Sequence, residues 1–209
     1  MYARLRTFEG TNTLVRDLTL ATLFAALTAL GAQIALRLPF SPVPITLQVF
    51  MVIGTGLALG SRRGLTSLLV YLAAGVTGLP VFAEGTGGPG VLFGPTGGYL
   101  LAFPVAAFTA GWLSEKSIPT KWFCWITASL GALAVIYAGG ASWLALWLST
   151  TGALSLQAAL SRAWQLGVAP FLLADVVKAI LAVAIAQGNH RFLSLFSGIH
   201  YLDRTKGID

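Results

Sequence analysis

An acid and a base sit three residues apart inside the apolar run PFLLADVVKAILAVAIA, Pro170 to Ala186. At i and i+3 of a helix, Asp175 and Lys178 share one face and can point together into a space between helices. In hydrocarbon an ionised side chain costs roughly 3 kcal/mol on insertion scales, so it persists there only when paired, hydrated or used. Three chemistries follow: recognition of a ligand with complementary polar ends, general-base catalysis by Lys178 with Asp175 as its orienter, or a structural ion pair. Catalysis would also require a nucleophile, for which Ser and Thr candidates exist. Other chemistry is poorly supplied. Cys124 is the only cysteine, so an intrachain disulfide and a cysteine metal cluster are excluded. His190 and His200 lie in the polar C-terminal tail, far along the chain from any carboxylate pair, and no metal site is expected.

The elements that position this pair are set by composition. The 209 residues are 56% hydrophobic and 10% charged, with a mean hydropathy of +0.80, whereas soluble domains carry about 25% charged residues. The fold class is all-α integral membrane, a single domain over 1–209 with six transmembrane helices. A net charge of +6 fits the loop bias of a membrane protein better than nucleic-acid binding, because the basic residues do not interleave with exposed aromatics. Leu18 to Leu36 is the first span, about 19 residues, too long for a signal core, and is read as retained. Its Ala21, Ala25 and Ala29 form a smooth stripe that admits another helix, inside this protein or outside it. Three prolines make Arg37 to Pro44 a stiff loop. Ile45 to Gly60 and Leu65 to Leu79 are spans two and three, the first carrying Gln48, which must find hydrogen-bond partners when buried.

Leu79 to Tyr99 holds seven glycines and three prolines in 21 residues, a composition that ends helices. Irregular backbone at membrane depth must be buried in protein or line a cavity, and glycine lets backbone approach a ligand closely. No Gly-Lys-Ser/Thr follows these glycines, so nucleotide binding is disfavoured and any ATP-driven step needs another chain. Gly97 to Leu113 is span four, Ser114 to Lys121 a polar turn, and Trp122 to Leu148 span five, with Gly139-Gly140 as its expected end and Ala141 to Leu148 as an interfacial piece. Residues 150–167 read as a short amphipathic connector before span six, Val168 to Ala186. With six spans, ten of the 13 basic residues fall on one side: Arg4, Arg6, Arg16, Arg62, Arg63, Lys116, Lys121, Arg191, Arg204 and Lys206. The positive-inside rule makes that side, with both termini, cytoplasmic. Asp175 and Lys178 then lie in the outer half of span six, near the Pro-rich and Gly-rich loops.

Several motifs occur together in order: Val43-Pro-Ile-Thr-Leu-Gln48, Gly78-Leu-Pro-Val-Phe82, Gly87-Gly88, Gly94-Pro-Thr-Gly-Gly-Tyr99 and Pro170-Phe-Leu-x-x-Asp175-x-x-Lys178. Over essentially the whole chain this resembles the BioY family, the biotin-specific substrate-binding (S) components of energy-coupling-factor (ECF) vitamin transporters. The resemblance implies a six-helix S-component fold in the cytoplasmic membrane of a prokaryote, with biotin bound near the outer surface under loop lids and no cofactor. It implies partners: an ECF T component, facing Ala21, Ala25 and Ala29, and two ATP-binding subunits. It also implies Asp175 at the ureido end of biotin and Lys178 at its carboxylate, unless Asp175 instead holds Lys178. Gln48 either hydrogen-bonds in the pocket or stiffens its helix start. Glu84 either contacts the ureido ring or faces solvent. Gly87 and Gly88 approach the ligand, Tyr99 and Thr96 border the same loop, and Phe82, Phe93 and Trp164 wall the apolar ring or pack elsewhere. The competing readings are a solitary biotin transporter without ATPase partners, an intramembrane enzyme, and a scaffold that binds no vitamin.

Overall fold

The structure, a computed structural model, describes residues 2–116, 122–152 and 154–197, with side chains described from residue 14 to residue 188 of those stretches. Lys121, His200, Arg204 and Lys206 lie outside the described residues, as do the side chains of Arg4, Arg6, His190 and Arg191. The described residues form seven α-helices: α1 Tyr2–Gln33, α2 Gln48–Leu59, α3 Ser61–Val76, α4 Gly97–Glu115, α5 Trp122–Thr151, α6 Leu156–Gly167 and α7 Leu172–Ser197. A two-residue antiparallel ladder, β1 Ala35–Leu36 with β2 Ile45–Thr46, closes the Pro-rich loop. Between α3 and α4 the Gly-rich segment contains only short stretches of 3-10 helix, Ala83–Gly85 and Pro89–Phe93.

Leu14–Gln33, α4 and α5 are long and apolar enough to cross a membrane, and α6 with α7 makes a fourth crossing if this pair, bent by 54°, is one span. The break falls at Pro170, whose ring cannot continue a helix. Helix α2 has 12 residues and α3 has 16, about 18 Å and 24 Å of rise, so neither alone matches a hydrocarbon core of about 30 Å. The extended segment before α2 turns two of its side chains inward. Val43 and Thr46 are each 8% exposed, and Ser41 Oγ donates to the Leu166 carbonyl at 2.6 Å. Val43 N in turn donates to Ser41 Oγ at 3.1 Å, so this non-helical backbone finds a partner within the protein, as buried backbone requires.

One end of the bundle gathers charged groups from helices α1, α3 and α4. The Glu115 carboxylate accepts from Ser61 N at 2.7 Å and Ser61 Oγ at 2.9 Å, satisfying orphan donors at the start of α3. Arg63 pairs with Asp17 at 2.8 Å. The start of α3, the end of α4 and the Asp17 region of α1 therefore lie at one end of the bundle.

Two expectations are corrected here. Gly139-Gly140 does not end span five, because α5 runs unbroken to Thr151. The glycines serve close packing instead: a Cβ on Gly139 would press on Ala102, and one on Gly140 would collide with the Tyr99 ring. The alanine stripe faces inward. Ala21 is 1% and Ala25 6% exposed, Ser67 of α3 donates to the Ala21 carbonyl at 2.9 Å, and Ala29 is half-buried. Ala21 and Ala25 therefore cannot present a free face to a partner chain. Gly140→Ala should destabilise the protein by about 1–3 kcal/mol through overpacking, read as a lower thermal midpoint in detergent. Gly54→Ala, whose Cβ would meet nothing within 4 Å, should leave the midpoint unchanged or raise it slightly.

Candidate functional site

A cavity of about 260 Å³ opens between the Pro-rich loop, the Gly-rich loop and helices α2, α4, α5 and α7. Its wall is mostly apolar, with Phe82, Leu100, Phe103, Ile136 and Phe171 as large members, and Gln48, Thr96, Tyr99, Tyr137, Glu84 and Asp175 as polar ones. Small-ligand sites have this character: an apolar lining with a few placed polar groups.

Asp175 forms the buried pole of the cavity. It lies in the first turn of α7, where the helix dipole favours negative charge, and is 3% exposed. Its Oδ1 accepts from Lys178 Nζ at 2.7 Å, and its Oδ2 accepts from Tyr137 OH on α5 at 2.7 Å. Lys178 also donates to the Thr46 backbone carbonyl of β2 at 2.7 Å. The two charges hold each other, and Lys178 stands behind the cavity wall, where it does not line the space. Less than one helical turn separates them, and a short Asp side chain leaves the longer Lys to reach it. An ionised carboxylate has about four acceptor positions, so Asp175 keeps acceptor capacity toward the cavity.

A second set of bonds runs from this pair to the Gly-rich loop. Gln48 accepts from Thr46 Oγ1 at 3.1 Å and donates to Tyr71 OH at 2.6 Å. Tyr71 OH in turn donates to the Val81 carbonyl at 3.1 Å, and its ring meets Phe82 edge-on with centroids 5.5 Å apart. Gln48 is thus both on the cavity wall and a brace for it. Tyr99 lines the cavity while donating to the Gly167 carbonyl at 2.8 Å, which locks α4 to the end of α6. Trp143 Nε1 donates to the Gly94 carbonyl at 2.8 Å, fastening the loop to α5.

Near the mouth, Glu84 lines the cavity and pairs with Arg37 of the Pro-rich loop, whose Nε and Nη2 donate to its two carboxylate oxygens. Glu84 has φ of 60°, the one positive value at a non-glycine among the described residues. Arg37 holds the Glu84 carboxyl below its ordinary range, chiefly through the hydrogen bond. This pair is exposed, 79% for the Arg37 side chain and 25% for that of Glu84, in contrast to the buried Asp175–Lys178 pair.

Other expected site residues are not brought to the cavity. Trp164 is 56% exposed on α6 and Phe93 is 72% exposed, and neither lines the space. On α6, Ala159 and Ala163 take the inward face, which turns Trp164 out. Gly87 and Gly88 are also absent from the wall. They shape the loop: a Cβ on Gly87 would collide with the Leu79 carbonyl, and Gly88 has φ of 90°, which favours glycine. Among the described residues no three His, Cys, Asp or Glu side chains cluster to hold a metal. Sequence reasoning missed Tyr137, although it is the only tyrosine between Trp122 and Leu148, and it missed Arg37 as the partner of Glu84.

The family model described as BioY family matches residues 4–195. The chain belongs to the BioY family. A probable biotin transporter BioY of Pyrococcus horikoshii is 44% identical over 177 residues, covering 83% of this chain and 98% of that protein. The biotin transporter BioY of Thermotoga maritima is 37% identical over 172 residues, covering 82% and 94%. Among solved structures, the crystal structure of the S-component for biotin from an ECF-type ABC transporter matches with a TM-score of 0.72 at 30% identity, covering 86% of this chain and 93% of that one. The fold is therefore that of an ECF S-component, helical and membrane-integral. BioY is a family of transporters, which sets the enzyme reading of Lys178 aside.

Two outcomes follow from the two ion pairs. Lys178→Met strands a buried carboxylate and should cost about 3–5 kcal/mol of stability, whereas Asp175→Asn with Lys178→Met should recover most of it; thermal unfolding of the single and double variants measures the coupling. Glu84, with its folded pKa lowered below 4.5, contributes stability above its unfolded pKa that is lost as pH falls through the folded one. The protection factor of the Phe82 amide, bonded to the Thr86 carbonyl at 3.0 Å, measured against the intrinsic exchange rate at each pH, should fall as pH drops below 4.5, and Glu84→Gln should remove that fall.

Proposed function

We propose that this chain binds biotin and mediates its uptake across the cytoplasmic membrane of a prokaryote, as the S-component of an ECF transporter. The observation that carries the reading is the mostly apolar cavity with the Asp175 carboxylate at its buried pole, in a chain of this family. Biotin offers two ureido N–H donors, an apolar thioether ring and an acidic tail. Asp175 accepts from the ureido donors, with Tyr137 and Lys178 fixing its orientation and Lys178 balancing its charge. Phe82, Phe103, Ile136 and Phe171 face the apolar ring, and Gln48 supplies a further polar contact. Charge-assisted bonds of this kind are strong in a site that excludes water.

Delivery of the vitamin inward needs energy. The Gly-rich segment contains no lysine, so it lacks the nucleotide loop that would use ATP within this chain. The partners are an ECF T component and two ATP-binding subunits, with lipid around the bundle and no resident cofactor. The whole of 1–209 acts as one six-span substrate-binding domain, both termini cytoplasmic and the cavity facing outward. Purified protein in detergent should bind biotin with submicromolar affinity by calorimetry and release it unchanged by mass. Asp175→Asn should weaken binding about 10- to 100-fold. No binding by fresh protein would overturn the proposal. Proteoliposomes holding this chain alone should need the partner subunits and ATP for uptake of labelled biotin; uptake without them would show a solitary transporter.

A further inference from the structure

The cavity lining carries two acidic side chains, Glu84 and Asp175, and no basic one. A ligand bearing a carboxylate therefore meets like charge at both poles and must take a cation from one of the two existing pairs. The pairs differ in how readily each gives one up. Lys178 is 12% exposed at its side chain and bonded to both Asp175 and the Thr46 carbonyl; removing it strands a carboxylate in a dry site. Arg37 is 79% exposed, its partner Glu84 stands at the mouth, and a Glu84 released there is hydrated by bulk water. Exposed ion pairs contribute little to stability, so their exchange is close to neutral. Arg37 also offers a planar fork of donors already satisfied by a carboxylate in bidentate fashion, the geometry a second carboxylate would need.

From this asymmetry we infer that Arg37 is the specificity residue for the acid end of the ligand, which displaces Glu84 from the guanidinium, while Lys178 stays with Asp175. Glu84 is then an internal competitor, an occupant of the anion site when no ligand is bound. The exchange brings one further negative charge to the site, and the Glu84 carboxylate that it releases is the partly exposed one of the two that line the cavity. It also frees the Gly-rich loop from the Pro-rich loop at the moment the ligand tail seats, because the Arg37–Glu84 contact joins them. This deepens the biotin reading and rests on it.

The test compares biotin with biotin amide, which lacks the tail charge, on the full chain in detergent. Wild-type protein should prefer biotin, with the preference shrinking as salt rises, because an exposed cation is screened. Arg37→Gln should weaken biotin about two- to fivefold and leave the amide unchanged, and Arg37→Lys should restore part of the difference. Glu84→Gln should act in the opposite direction, tightening biotin severalfold with no effect on the amide. Equal losses of both ligands in Arg37→Gln, or an unchanged biotin affinity in Glu84→Gln, would overturn the assignment while leaving biotin binding intact. Failure of wild-type protein to bind either ligand would overturn the biotin reading and this inference with it.

Discussion

Burial of the Asp175 carboxylate is the constraint on which the rest of the structure depends. At 3% exposure an ionised carboxylate is stable only when its lone pairs are used and its charge is balanced. Its partners are Lys178 on the same helix and Tyr137 on α5, and Lys178 is held in turn by the Thr46 carbonyl of β2. Each must arrive in place for the others to be tolerated. The bend at Pro170 puts Asp175 in the first turn of α7, where the helix dipole adds to the same balance.

That requirement propagates outward. Thr46 must present its carbonyl to Lys178, which places β2 against α7 and lets Gln48 reach Tyr71. Tyr71 holds the Val81 carbonyl and packs on Phe82, so one line of hydrogen bonds connects the buried charge to the loop covering the cavity. Close approaches at glycine keep the surrounding helices near enough for these bonds to form. Tyr99, pressed between Gly140 and Gly167, is one such point.

In the proposed reading, two ion pairs at different depths divide the work of the cavity. The inner one is costly to break and fixes an acceptor, which suits recognition of a neutral ring with N–H donors. The outer one is hydrated and cheap to rearrange, which suits a gate or an exchangeable anion site. A transporter must bind firmly and also release, and a site with one rigid pole and one exchangeable pole satisfies both demands.

Much of this was readable from the residues in order. The apolar runs, the charge clusters between them and the proline and glycine loops located the helices and the class of fold. Asp175 and Lys178 stood out because local periodicity puts i and i+3 on one face, and the ordered motifs pointed to the family. Only the tertiary structure decided which faces meet. It turned Ala21 and Ala25 inward against α3, used Gly139-Gly140 for packing instead of termination, left Trp164 outside the cavity, and supplied Tyr137 and Arg37 as partners for the two carboxylates. Helical spacing reports which side chains share a face of their own helix. Which surface that face then contacts depends on bonds between residues as far apart as Arg37 and Glu84 or Tyr137 and Asp175, and no local pattern in the chain encodes those.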